Sequence, residues 1–317
     1  MRHASVKLIV KNGPLDAVNL NRSLIILYRM SVKYDETLVI FNAFKEIASR
    51  TYKTEGEFLH TCRMELEPHI YGALNRIYGA EFQKHWDTCT IPKFVDKTVV
   101  LVERRCHPNL KFCLQNAAYY ARGWSITVIC SDANQEFVRA CVGKQEESVR
   151  IIPFFKGIGT PEQGKTEYNS VLQQDHFWDI FFEEHLLMME TDTYLTKPLP
   201  ASLTQYDYVA SKWPWMPNAP GGGGLSYRKR SMMKHVCSMN FPIQKAQDCF
   251  ISDNVQKLHF KTPSLEESLD FFGEFCFVRT MCGTHQWWTG MRTYKLDEIE
   301  SAITLALSPL PALKLGA

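Results

Sequence analysis

Two carboxylates two positions apart, Glu190 and Asp192, follow the apolar run His185-Leu-Leu-Met-Met189. Such a run reads as a buried strand, and ligands of open α/β sheets bind beyond the carboxyl ends of strands. If the strand persists, residues i and i+2 share a face and the pair can aim at one hard cation. Mg2+ and Mn2+ prefer oxygen donors and commonly join one or two carboxylates to substrate phosphates. Acidic residues at strand ends are also common without a metal, so the pair alone is weak. A second group is the run Gly221 to Gly224, entered from Trp213 to Pro220. Glycines let a backbone approach a ligand closely, although a bare glycine run is also a flexible loop. Asp248 falls in the first turn of a helix starting near Gln247, where a carboxylate either accepts a proton or complements the helix dipole. His285 stands beside Trp287 and Trp288. It is either a ligand in an aromatic cleft or a packed core histidine.

Positioning these groups takes a sheet with crossovers. Thr98 to Glu103, Ser125 to Cys130, Val149 to Phe155 and His185 to Glu190 are short runs rich in branched apolar residues. They read as buried strands. Helical patterns separate them: Pro108 and Asn109 through Gly123, Glu136 to Val142, and Tyr168 to Phe182. This alternation predicts an α/β sheet. Leu225 to Arg228 reads as a further short strand and Ser231 as the start of a helix. No GxGxxG follows the first strand and no GxxxxGK[ST] occurs, so the fingerprints of a dinucleotide site and a P-loop are absent. Residues 1–93 read as mainly helical, with a capping box at Thr54 to Glu57 and a further helix opening at Asp35. That segment carries no chemical motif. It packs on the main domain, binds an acceptor or joins copies of the chain into a homo-oligomer. The division expected is 1–93 helical, 94–295 α/β, and 296–317 a helix and a mobile tail.

Composition narrows the field. The chain has 317 residues, 45% hydrophobic and 22% charged, enough apolar material for a core and unlike a disordered chain. A formal net charge of +2 gives no whole-chain signal for nucleic acid. Ten cysteines form no CxxC pair, which disfavours a zinc ribbon and fits a reducing compartment. The first residues lack the apolar core of a signal peptide, and runs such as Leu24 to Tyr28 are too short to span a bilayer. A cytoplasmic protein without a membrane span is expected.

Several blocks, in order from about Thr98 to Trp288, resemble a family of glycosyltransferases with a GT-A-like fold. That family is catalogued largely as a domain of unknown function and is found in bacteria, plants and large DNA viruses. The blocks are Val100 to Arg105 with His107-Pro-Asn109, Phe177-Trp178 with Leu187 to Thr193, and Asp207 to Ala210 with Gly222 to Arg228. Asp248 to Ser252 and Gly283 to Trp288 complete the set. Residues 1–93 are not covered, and the family more often has Gln where this chain has Glu190.

The resemblance implies a Rossmann-like mixed sheet flanked by helices, a UDP- or GDP-sugar donor, and Mn2+ or Mg2+ as cofactor. It makes Asp192 the chief metal ligand, with Glu190 beside it and His285 reaching the cation or diphosphate. Glu103 and Arg105, with Ser131 and Asp132, would lie along the nucleotide. Gly222, Gly223 and Gly224, with Trp213 and Trp287, would line the cleft for donor sugar and acceptor. The reaction expected is transfer of a sugar to a hydroxyl acceptor, a glycan or other, with inversion and Asp248 as base. A sugar nucleotidyltransferase and a non-catalytic binding homologue are the alternatives.

Overall fold

The computed structural model describes residues 17–213, 216, 218–277 and 279–308. Two long helices come first, α1 (Ala17–Ala48) and α2 (Glu55–Thr88). Asp35 lies inside α1 and does not open a helix, because the segment contains no glycine or proline to interrupt it. Thr54 caps α2, its hydroxyl accepting the Glu57 N–H at 3.1 Å. The Glu57 carboxylate accepts the Lys53 N–H at 2.9 Å, one residue further out than a capping box requires.

The α/β part then runs β1 (Lys97–Val102), α3 (Leu110–Tyr120), β2 (Ser125–Ser131), α4 (Gln135–Val142), β3 (Arg150–Phe155), α5 (Pro161–Val171) and β4 (His185–Met189). It continues through β5 (Thr193–Leu195), β6 (Tyr208–Ser211), β7 (Gly222–Lys229), α6 (Arg230–Ser238), α7 (Gln247–Lys257) and α8 (Leu265–Ser268). The last elements are β8 (Phe272–Glu274), β9 (Gly283–His285) and α9 (Leu296–Ala306). The tail beyond 308, expected to be mobile, lies outside the described residues.

Six strands form a mixed sheet in the order β3-β2-β1-β4-β7-β6. The pairs of β1 with β2, β1 with β4 and β2 with β3 are parallel, while β7 is antiparallel to both neighbours. Alternation sends Val99, Leu101, Val128, Leu187 and Leu225 to one face, where α1 to α4 and α9 cover them. Val100, Val102, Ile129, Leu186 and Met188 face the other way, under α6, α7 and the 3₁₀ turn Asp175–Ile180. Burial on both faces is why these strands read as continuous apolar runs. A smaller sheet, β5-β9-β8, stands beside the first.

Two elements differ from their sequence reading. The helix expected over Tyr168 to Phe182 breaks after Val171. Asp175 accepts the N–H of His176 at 2.7 Å, a local bond that competes with helix continuation. The glycine run is strand from Gly222 onward and no flexible loop. Gly222 pairs with Ser211, across a register shift next to Ala210. Gly221 has φ +94°, and a Cβ there would sit 2.1 Å from the Ser211 carbonyl oxygen. Among the described residues no helix is long and apolar enough to cross a membrane.

Candidate metal centre

The strand order reverses at β1, which has β2 on one side and β4 on the other. A crevice opens at such a switch point beyond the carboxyl ends of the strands. Leu101 is paired with Met189, so the residues that follow each strand emerge side by side. Glu103 follows β1, and the Thr191 hydroxyl donates to its Oε2 at 2.9 Å.

The strand does not persist to Asp192. β4 stops at Met189, where the Glu190 N–H still reaches the Gly224 carbonyl at 2.8 Å. The chain then turns, and the Thr193 N–H and hydroxyl return to the Glu190 carbonyl at 3.2 and 2.8 Å. The turn, and not strand alternation, gathers the two carboxylates. It also launches β5, whose Thr193 pairs with His285 of β9, while Glu274 of β8 pairs with His285 from the opposite side. One histidine is thereby held between two acids. His285 Nε2 lies 3.4 Å from Asp192 Oδ1, and Nδ1 lies 3.1 Å from Glu274 Oε1. The Gln286 amide donates to Asp192 Oδ2 at 2.6 Å, and the Tyr168 hydroxyl donates to Glu190 Oε1 at 2.9 Å.

The glycines of β7 form the wall against which these groups stand. A Cβ on Gly224 would lie 2.9 Å from the Glu190 side chain. On Gly223, at φ +104°, it would lie 2.8 Å from Glu274 Oε2 and 3.0 Å from His285 Nδ1. On Gly222 it would lie 2.6 Å from the Cβ of Asp248 and 2.5 Å from the Trp213 ring. Each glycine thus makes room for one member of the site. Asp248 is half-buried in the first turn of α7, and Trp213 is buried against the same strand.

Helix α2, from the segment that showed no motif, closes one side. Arg63 Nη2 reaches Asp192 Oδ2 at 2.8 Å. One turn on, Glu67 accepts from the Asn109 amide at 2.7 Å and lies 3.3 Å from His107 Nε2. Arg105 clasps Glu103 through two bonds of 2.8 Å. The carboxylates of the cluster (Glu67, Glu103, Glu190, Asp192 and Glu274) outnumber its two arginines, and two of them, Glu190 and Glu67, titrate above their ordinary range. Burial, then the charge of Asp192, raises Glu190. The same two causes push Glu67 up to about 7. Burial works against the charge of Asp192, yet His285, Arg63 and Gln286 outweigh it and hold that carboxyl well below its usual range. For His285 burial again opposes charge, and Asp192 and Glu274 prevail, lifting it well above an ordinary imidazole.

Oxygens of Glu190 and Asp192 and a ring nitrogen of His285 all lie within 4.8 Å of one another. A cation with bonds of roughly 2.1 Å joins opposed ligands about 4.2 Å apart, so small side-chain shifts bring this set into range. Asp192 is only 4% exposed, but it is buried inside the cluster shared with His285 and the glycines. Its Oδ1 and Glu274 Oε2 have no hydrogen-bond partner, and His285, held between the two acids, is the positive group that faces both carboxylates. Two carboxylates and one imidazole suit Mn2+ or Mg2+ with waters or phosphates completing the shell. The three residues could hold such an ion.

Three expected site residues lie outside the metal-ligand cluster. Ser131 is fully buried; its hydroxyl bonds Asn134 and the Arg104 carbonyl, and Asn134 in turn holds the carbonyls of Glu103 and Arg105. Ser131 therefore braces the loop after β1, with its hydroxyl engaged there. Asp132 is exposed and accepts the Gly157 N–H at 2.7 Å, apart from the carboxylate cluster. Trp287 does not line a cleft. Gln286 takes a left-handed backbone, φ 45°, which returns its amide to Asp192 and sends Trp287 into the core, 1% exposed and edge-on to Trp288. Arg63, Glu67 and Glu274 were not singled out from the sequence. Arg63 and Glu67 sit within an ordinary amphipathic helix, and Glu274 in a strand of three residues, so no spacing signals them.

A family model described as a protein of unknown function (DUF5672) matches residues 159–288. The match takes in Glu190, Asp192, the glycine strand, Asp248 and His285, and leaves out β1 and α2. No curated protein matches the chain.

Proposed function

We propose that the chain is a glycosyltransferase of GT-A-like fold that moves a sugar from a nucleoside-diphosphate donor to a hydroxyl acceptor, with Mn2+ or Mg2+ as cofactor. The observation that carries the reading is the gathering of Glu190, Asp192 and His285 beside the glycine strand. The sheet order, with its switch point at β1 and an antiparallel β7 inserted beside β4, supports it.

Breaking the bond from sugar to diphosphate builds negative charge on the departing oxygens. Glu190, Asp192 and His285 would hold the cation, which when bound supplies positive charge to that diphosphate. Gln286 fixes the Asp192 carboxylate, and Tyr168 fixes Glu190, so the ligands are oriented in advance. Glu103 and Arg105 stand at the neighbouring strand end, on the side where the nucleotide would lie. Asp248 stands across the bare backbone of Gly222, free of the metal cluster, and is the group placed to take the proton of the acceptor hydroxyl. Attack from that side, opposite the leaving diphosphate, inverts the anomeric centre.

The test is a panel of UDP- and GDP-sugars with MnCl2, read by melting temperature and by slow release of nucleoside diphosphate. Stabilisation together with release by the wild type, and neither with Asp192→Ala, supports the reading. Stabilisation without release describes a binding protein, and no response to any donor overturns it.

A further inference from the structure

Arg63 stands where a second cation is least expected. Its Nη2 bonds Asp192 Oδ2, and its charge also acts on Glu190 and Glu67. The other arginine of the cluster, Arg105, is closed in a two-pronged pair with Glu103. Arg63 instead holds one carboxylate oxygen through one nitrogen, and its side chain is 42% exposed along α2. A long flexible stem lets such a head group leave its partner without disturbing the helix. A divalent ion drawn to Asp192 meets the guanidinium as a like charge at contact range. Phosphates that arrive with the ion would offer a displaced arginine an acceptor besides Glu67 and Glu190, and the guanidinium fork matches them.

We propose that Arg63 is an exchangeable counter-ion of the centre and a ligand for the diphosphate of the donor. It rests on Asp192 while the cation is absent and passes to the phosphates once the cation is held. The inference depends on the metal and donor reading above, and it assigns to α2 a direct part in recognising the leaving group.

The experiment uses the full chain as wild type, Arg63→Ala and Arg63→Lys. Calorimetric titrations are run with MnCl2 alone, and with UDP and GDP at saturating MnCl2. Arg63→Ala is expected to bind Mn2+ several-fold more tightly, because a competing charge is gone. The same variant is expected to bind the nucleoside diphosphate about tenfold more weakly, the scale of one charge-assisted hydrogen bond. Arg63→Lys keeps the competing charge and restores only part of the diphosphate affinity, since an ammonium lacks the fork. Opposite movement of the two affinities is the signature. A residue that only packs would weaken both and lower the melting temperature of the ligand-free protein. Parallel changes, or no change, overturn the role of Arg63 while the donor reading stands. A wild type that binds neither Mn2+ nor nucleoside diphosphate overturns both.

Discussion

On the proposed reading, Asp192 and Asp248 have roles that substitution separates. Asp192→Ala is expected to abolish Mn2+ binding and transfer while far-UV circular dichroism stays native; normal turnover would remove Asp192 from the centre. Asp248→Asn is expected to keep donor affinity and lose roughly a hundred- to ten-thousandfold in kcat. A rise in acceptor KM alone would make Asp248 a binding residue. Glu67 gives a pH test in the absence of metal. Its pKa is pushed up to about 7 by burial and by Asp192, above its ordinary value of 4.5. Between those values the folded protein holds a proton that the unfolded chain releases, so stability falls as pH rises through the window. Glu67→Gln cannot titrate, and its melting temperature should gain on the wild type from pH 5 to 7.5; parallel curves would contradict the assignment. Glu190, Asp192 and Asp248 were legible because each follows a strand or opens a helix that the apolar pattern marks, and His285 because it stands beside two tryptophans. Arg63 and Glu274 were not, because they reach the site through packing of elements far apart in the chain.

At the scale of the element, β7 decides whether the site can exist. Its glycines looked like a loop because the residue type alone does not separate slack backbone from backbone pressed against neighbours. The pairing with β4 and β6 supplies that distinction. Gly224→Ala places a methyl 2.9 Å from Glu190, and Glu190 is pinned by Tyr168. We expect a loss of about 1–3 kcal/mol and of most Mn2+ affinity. Gly56→Ala, in the first turn of α2 with only Thr54 Oγ1 at 3.9 Å, is the control and should be neutral or slightly stabilising. Melting curves and Mn2+ titrations of the pair decide the matter; equal behaviour would mean that β7 yields. β1, β2 and β4 were readable because both faces are apolar, while β3 at the sheet edge is only partly buried. β5, β8 and β9 were not, being three residues each and stabilised by one another.

Across the whole molecule, the boundary near residue 93 marks a change of pattern and not a seam in the core. Tyr71 of α2 meets Phe112 of α3 edge-on at 5.4 Å, and its hydroxyl donates to the Thr193 carbonyl at 3.0 Å. The Trp86 indole donates to the Val142 carbonyl at 3.1 Å, and Gln145 returns a bond to Trp86. The apolar cluster on that face of the sheet is continuous with α1 and α2. A chain of residues 94–317 is therefore expected to lack a cooperative melting transition and to bind the dye ANS; a sharp native-like transition would show that the α/β part folds without the helices. The sequence could show that the helices are amphipathic, but not which surface their apolar stripe meets. The pairing of β5 with β9 has a temporal consequence. His285 and Gln286 join Asp192 only after the chain between Leu195 and Gly283 has closed its loop. A nascent polypeptide on the ribosome cannot assemble the centre until its last strand emerges, so the ion would seal a finished fold instead of nucleating one.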